Sequence, residues 1–208
     1  MAVAPSTAET PEAMDDRTLM GRVQLGDEAA LATLMERWEL PVKAVIARLV
    51  LNTGEAEDLA QETFVRVWQQ RAKFRAGAAF RPWIFAIAVN LARNRLRWWR
   101  RRPAVALEEW TELRGEGAAG GGFAPLGKMT AAAPAGGAAA LERAEVGAAV
   151  RDAIAELPAD QREALVLFEY EQLSHAEIAD VVGATPKAVE TRLYRARERL
   201  RKSLAGLI

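Results

Sequence analysis

The chain of 208 residues is half hydrophobic by count, which admits one large domain or two small ones and excludes a wholly disordered protein. Its 28 basic and 28 acidic residues leave no formal net charge, and the absence of cysteine excludes disulfides and thiolate metal sites. The start, MAVAPSTAETPEAMDD, lacks the basic residues and apolar run of a secretory signal, and no stretch approaches about 18 uncharged apolar residues, so no membrane insertion and a cytoplasmic location are expected.

Residues 1–15 are expected to form a disordered tail. The first domain is expected over 16–104. Asp15 or Asp16 is placed to cap its first helix, and Gly26 and Gly54 punctuate the chain after it. The segment GEAEDLAQETFVRVWQQ then starts an amphipathic helix. Leu59, Thr63 and Val67 lie one turn apart, Phe64 and Trp68 widen that stripe, and Asp58, Gln61, Glu62, Val65 and Gln69 take the opposite side. The next helix has Pro82 in its first turn, where a missing N–H costs nothing. Its periodicity predicts a buried stripe of Ile84, Ile87, Ala88, Leu91 and Trp98, with Asn90, Arg93, Asn94, Arg97 and Arg101 on another face.

Residues 105–144 are expected to be a flexible linker. Between Gly115 and Ala140, 18 of 26 residues are Gly or Ala, with no apolar stripe to bury. The second domain, 145–208, is again helical. REALVLFEYEQ reads as one helix, and SHAEIADVVGATPKAVETRLYRARERLRKSL as helix, tight turn, helix. Ser174 and Glu177 match a capping box, with the lone histidine, His175, read as a surface or capping residue between them. Ala179 leaves room for close helix approach, and Gly183 suits the left-handed residue that ends the helix. Thr185 caps the next one with Pro186 at its first position, and Val189, Leu193, Ala196 and Leu200 form its buried seam. The fold class is therefore all-α, two small helical domains on a tether.

Overall neutrality hides a segregation of charge. From Thr63 to Leu107 there is no acid but eleven Arg or Lys, and FRPWIFAIAVNLARNRLRWWRRR concentrates seven arginines among five aromatics. Such a segment points to a polyanion. Arginines interleaved with rings suit single-stranded nucleic acid, where rings stack unpaired bases at roughly 1–3 kcal/mol each. Phe80, Arg81 and Trp83 are the candidates for base handling, while Trp98 is read as core. In the helix-turn-helix, Lys187, Glu190 and Thr191 project from the first turns of the second helix, where groove readers contact base edges. Lysine donates to guanine and glutamate accepts from cytosine; Arg192, Arg195 and Arg197 lie further along, where phosphates would be. The plainer alternative is a helical hairpin with a solvated basic face. Asp58, Gln61 and Glu62 have no histidine, metal-ligand spacing or phosphate loop beside them. They form a solvated helix face or a protein-docking site, so no enzyme, cofactor or metal is expected.

EDLAQETFVRVWQQ, FRPWIFAIAVNLARNRLR and AIAELPADQREALVLFEYEQLSHAEIADVVGATPKAVETRLYRARERLR, in this order, resemble the bacterial extracytoplasmic-function (group IV, sigma-70 family) sigma factors. The resemblance covers both halves. It implies a dissociable initiation subunit that binds core RNA polymerase, directs it to promoters and melts DNA, in a stress or envelope response under an anti-sigma factor. It implies a region 2 domain whose Asp58, Gln61, Glu62 and Val65 dock on the clamp of the polymerase large subunit. Phe74, Arg75, Phe80, Arg81, Trp83, Asn90, Arg93, Asn94 and Arg97 would then bind the minus-ten element, partly as single strand. Lys187, Glu190, Thr191, Arg192 and Arg195 of region 4 would bind the minus-thirty-five duplex. Within the linker, the 26 residues from Gly115 to Ala140 alone, about 28 Å in root-mean-square span and up to ~86 Å extended, would bridge elements more than a helical turn apart. Glu190 stands where such factors often carry lysine, and Asn94 where many carry aspartate. A duplex-binding repressor, a nucleic-acid enzyme and an RNA-binding protein are the rival readings: the first leaves the DLAQETF face unexplained, the second needs a metal or acid–base constellation for which a chain with no cysteine and one histidine has few options, and the third makes the helix-turn-helix superfluous.

Overall fold

The computed structural model describes residues 14–75, 77–101 and 138–205, with side chains from 145 onward in the last segment. The elements are α1 (Asp16–Gln24), α2 (Glu28–Val50), α3 (Thr53–Gln69), a 3-10 turn (Arg71–Lys73) and α4 (Phe80–Arg101), then α5 (Ala138–Ala155), α6 (Ala159–Glu169), α7 (His175–Val182) and α8 (Pro186–Ser203). Among the described residues there is no strand, in keeping with an all-α fold. The expected tail, up to residue 13, and most of the expected linker lie outside the described residues. α5 begins at Ala138, inside the segment read as linker.

Each start and stop has a local cause. Asp15 caps α1 by accepting from the Thr18 N–H at 2.6 Å. Gly26, at φ 92, turns the chain, and Asp27 caps α2 through the Ala30 N–H at 3.0 Å. Gly54 does not act as expected: it falls inside the first turn of α3. The break comes just before it, where Leu51 adopts φ 60 and Asn52 accepts from the Glu55 N–H. Ser174 and Glu177 form the capping box, Gly183 sits at φ 67, and Thr185 caps α8 with Pro186 behind it, all as the sequence predicts.

The first half packs α1 to α4 around Phe85, which is fully buried and meets the Trp38 ring edge-on at 5.9 Å. α4 is rotated from its expected orientation. Its buried residues are Phe80, Ile84, Phe85, Ala88, Val89 and Ala92, while Ile87, Leu91 and Trp98 are only half-buried. The cause is that α4 packs on α2 and α3 and also on α7, so more than one stripe is covered. In the second half Val189, Leu193 and Ala196 form the expected seam, with Leu200 packed at its edge.

The halves are not splayed apart. α4 lies against α7 and α2 against α6, and the buried side chains of both halves form one continuous apolar cluster. Arg162 ties three helix ends together. It donates to the Leu49 carbonyl oxygen at 3.0 Å, near the end of α2, and to those of Ala155, the last residue of α5, and Leu157 beyond it at 2.8 and 3.0 Å. Burial lowers the pKa of its guanidinium from the ordinary value.

The caps predict a pH response. Hydrogen bonds hold three carboxyls below their ordinary range: Asp15 through the Thr18 N–H, Asp27 through the Ala30 N–H and Arg22, and Glu177 through the Ser174 hydroxyl and N–H. Depressed values stabilise the fold above the unfolded carboxyl pKa of about 4, and the contribution is lost as pH falls through the folded values. The melting temperature is therefore expected to fall from pH 5 toward pH 2, and Asp27→Asn to flatten part of that slope. An unchanged slope in that variant would refute the assignment.

Candidate nucleic-acid interface

The outer face of α3 is set by what the inner face must bury. Leu59, Phe64 and Val67 turn inward with Thr63, whose buried hydroxyl donates to the Leu59 carbonyl at 2.7 Å. Asp58, Gln61 and Val65 are consequently exposed, Val65 by 52%, an apolar side chain left in solvent between polar neighbours. Glu62 is partly exposed and pairs with Arg66 at 2.9 Å one turn later.

The loop before α4 is shaped by Gln24, whose side-chain amide donates to the carbonyl oxygens of Arg71 and Phe74 at 3.0 and 2.7 Å. The sequence carried no sign of this role, since one glutamine in a helix has no pattern. Phe80 is corrected from an exposed base-handling ring to core, at 3% exposed, and Phe74 of the same loop is likewise buried, at 4%. Phe74 contacts the rings of Phe80 and Trp83 at 6.3 and 5.2 Å, and Phe80 meets Trp38 at 5.9 Å. Trp83 remains half-exposed and Arg75 exposed. Asn90, Asn94 and Arg97 form the exposed face of α4, with Arg97 donating to the Asn94 side-chain oxygen.

Arg81 and Arg93 are not on that open face. Arg93 forks onto Glu163 of α6, Nε to Oε1 at 2.8 Å and Nη2 to Oε2 at 2.5 Å, while Nη1 donates to the Val182 carbonyl at the end of α7. The Glu163 carboxylate, 6% exposed, raises the Arg93 pKa above its ordinary value. Arg81 reaches Glu171 at 3.4 Å, a looser contact. Burial pushes the Glu171 carboxyl up despite the opposing pull of Arg81. Alongside, the Arg48 guanidinium lies 4.0 Å from the Tyr170 ring centroid. Glu163 and Glu171 have no signature in the sequence, because nothing local marks them as partners of residues 70 and 90 positions away.

On α8, Lys187 and Glu190 stand in solvent, their side chains 80% and 55% exposed, and pair with each other at 2.8 Å. That pairing lowers the Glu190 pKa. Thr191 donates to the Lys187 carbonyl of its own helix. Arg192 turns back to Asp160 on α6 at 3.5 Å, whereas Arg195 is exposed. Tyr194 was not among the expected readers, yet it is 68% exposed one helical turn beyond Glu190. The His175 ring lies 5.3 Å from that of Phe168. Among the described residues no group of acids and histidine is placed to hold a metal ion, and no helix is long and apolar enough to cross a membrane.

Known proteins share this arrangement. The sequence matches the family described as Sigma-70 region 2 over residues 34–102 and that described as Sigma-70, region 4 over residues 147–200. It is 34% identical to the RNA polymerase sigma-H factor of Pseudomonas aeruginosa, over 93% of this chain and 95% of that one. It is 31% identical to the ECF RNA polymerase sigma-E factor of Escherichia coli K12, over 95% and 98%. Among solved structures, CnrH in complex with the cytosolic domain of CnrY superposes with a TM-score of 0.63 at 25% identity, covering 92% of this chain and 97% of that one. The sigma factor RpoE of Bartonella quintana, solved with the anti-sigma factor NepR, superposes with a TM-score of 0.55 at 23% identity, covering 83% and 96%. The chain therefore belongs to the extracytoplasmic-function branch of the sigma-70 family, a transcription-initiation subunit of RNA polymerase and not an enzyme.

Proposed function

We propose a division of labour among the surfaces. Asp58, Gln61, Glu62 and Val65 dock on the clamp of the polymerase large subunit. Arg75, Arg81, Trp83, Asn90, Arg93, Asn94 and Arg97 take the minus-ten strand, with Phe74 and Phe80 as the buried support of that loop. Lys187, Glu190, Thr191 and Arg195 read the minus-thirty-five duplex, with Arg192 anchoring the reader helix to α6. Residues 16–104 and 145–208 act as the two working units, joined by 105–144. The protein works in the cytoplasm with the polymerase, and an anti-sigma partner holds it between uses.

The observation that carries this reading is the exposed first turn of α8. Lys187 and Glu190 project from a helix whose start is fixed by Thr185 and Pro186 and whose opposite side is fully buried. Such a geometry presents donors and acceptors to base edges in a major groove. Free, the two neutralise each other; in a groove each has its own base to meet. Melting costs roughly 1.4 kcal/mol per base-pair step in lost stacking, and capture of unpaired bases on Trp83 and the α4 amides offsets it.

Run-off transcription with core polymerase and a library of genomic promoter fragments tests the reading, and transcripts dependent on this chain are the expected result. Duplex binding by the chain alone, with no polymerase association, would overturn it. Glu190→Ala is expected to change the preferred minus-thirty-five sequence in a selection from randomised promoters. An unchanged preference would remove Glu190 from the reader set.

A further inference from the structure

The corner between α1 and α2 is bonded tightly on its inner side. The Leu25 and Asp27 N–H groups donate to the Arg22 carbonyl at 3.0 and 3.1 Å, and the Gly26 N–H to that of Val23 at 3.0 Å. Arg22 pairs with Asp27 at 2.6 Å, and Gly26 supplies the positive φ that the corner requires. Beside it, the Gln24 amide reaches the Arg71 and Phe74 carbonyls, which fixes the corner against the loop leading to α4. Leu25 is left 90% exposed at the tip, the most exposed of the large apolar side chains described. A lone exposed leucine is ordinary. This one is set apart by its fixed presentation, which lowers the ordering cost of a contact, and by its neighbours. Arg71 turns away, its guanidinium 4.2 Å from the Trp68 ring centroid. Lys73 and Arg75 stay exposed, with no hydrogen bond or ion pair among the described residues. The same loop carries Phe74, whose ring meets at 5.2 Å that of Trp83, the half-exposed ring assigned to unpaired bases.

We propose that Leu25, Lys73 and Arg75 form a further single-strand subsite, in which Leu25 packs against the base that follows the minus-ten element on the non-template strand. This rests on the assignment of α4 and Trp83 to the minus-ten strand, and Arg75 is shared between the two sites. Cations along a backbone with an apolar surface for the bases are what a single strand needs, and leucine is among the side chains that wedge between base steps. The direction follows from the order of the chain. From the C-terminal end of α4 the chain passes to the half assigned to the upstream element, so the loop at the N-terminal end of α4 faces downstream. A base packed on Leu25 is withheld from its partner strand, which favours the open duplex.

The test uses the holoenzyme, formed from the full chain and core polymerase, with labelled non-template strands from a promoter mapped by run-off transcription. One strand stops at the last minus-ten base, and a second continues for two nucleotides. The longer strand is expected to bind more tightly, and Leu25→Ala to weaken its binding by about fivefold, near the lower end of what one stacked base contributes. The shorter strand and the melting temperature of the free chain should not respond to that change. An abasic nucleotide directly after the element should bring the wild-type protein down to the level of Leu25→Ala and leave the variant where it is. Lys73→Ala should weaken the longer strand alone and lessen the logarithmic salt slope of its binding by about 0.7, the share of one single-strand phosphate. A Leu25→Ala holoenzyme that binds the longer strand like wild type, or an abasic strand that wild type binds undiminished, would overturn the proposal. So would weaker association of Leu25→Ala with core polymerase, which would make Leu25 a polymerase contact instead. If the shorter strand does not bind and no transcript forms, the minus-ten assignment fails and the subsite with it. Tight binding of the shorter strand with no response at Leu25 removes the subsite alone.

Discussion

Asp58→Arg is expected to lose association with core polymerase by at least about thirtyfold, the usual scale for removing a charge from a paired interface and here compounded by reversal. Asp58 is exposed on the outer face of α3, one turn before Glu62 and two before Val65, so the three present a continuous strip. Val65, exposed by 52%, is the apolar side chain on this strip, and in the proposed docking it would supply the apolar contact that an interface needs at its centre. The fold should not notice the change, because surface substitutions away from caps and cores usually stay within about 0.5 kcal/mol. Binding to immobilised core polymerase, with circular dichroism melting as the fold control, checks both halves of the statement. Normal binding by the mutant would remove the docking role from this face.

Phe85→Ala is expected to cost about 3–5 kcal/mol of unfolding free energy, from lost transfer energy plus the cavity left behind. Phe85 is fully buried in α4 and packs edge-on against Trp38 of α2, so its ring helps hold the helix carrying Asn90, Asn94 and Arg97. That is a large share of the roughly 5–15 kcal/mol that stabilises a typical domain. Urea unfolding should show it, and Ile87→Ala should cost distinctly less, because Ile87 is only half-buried. Equal costs would mean that α4 sits in the orientation its periodicity suggests, not the one observed.

The fold was legible where its causes are local. Ser174 with Glu177, Gly183, and Thr185 with Pro186 are each decided by hydrogen bonds or steric limits within a few residues, so their spacing is enough to read them. The α8 seam and the α3 faces come from helical periodicity alone. Residues 34–102 and 147–200 carried enough ordered motif to reveal the family. The orientation of α4 was less legible, since periodicity identifies an apolar stripe but not how many neighbours a helix has. Phe80 misled for a related reason: a ring beside arginines has the same composition whether it faces a base or a core.

What the sequence determined by itself is thus a set of helices, most of their ends, the apolar seam of α8 and a basic segment without acids. Only the tertiary structure decided which charges meet. Arg93 has several acids within reach of an unfolded chain, and choosing Glu163 requires α4, α6 and α7 to be packed together across the linker. Coulomb attraction depends on distance and surrounding dielectric, neither of which is encoded at one position. Helix ends are short-range choices; ion pairs between halves exist only once the chain has closed on itself.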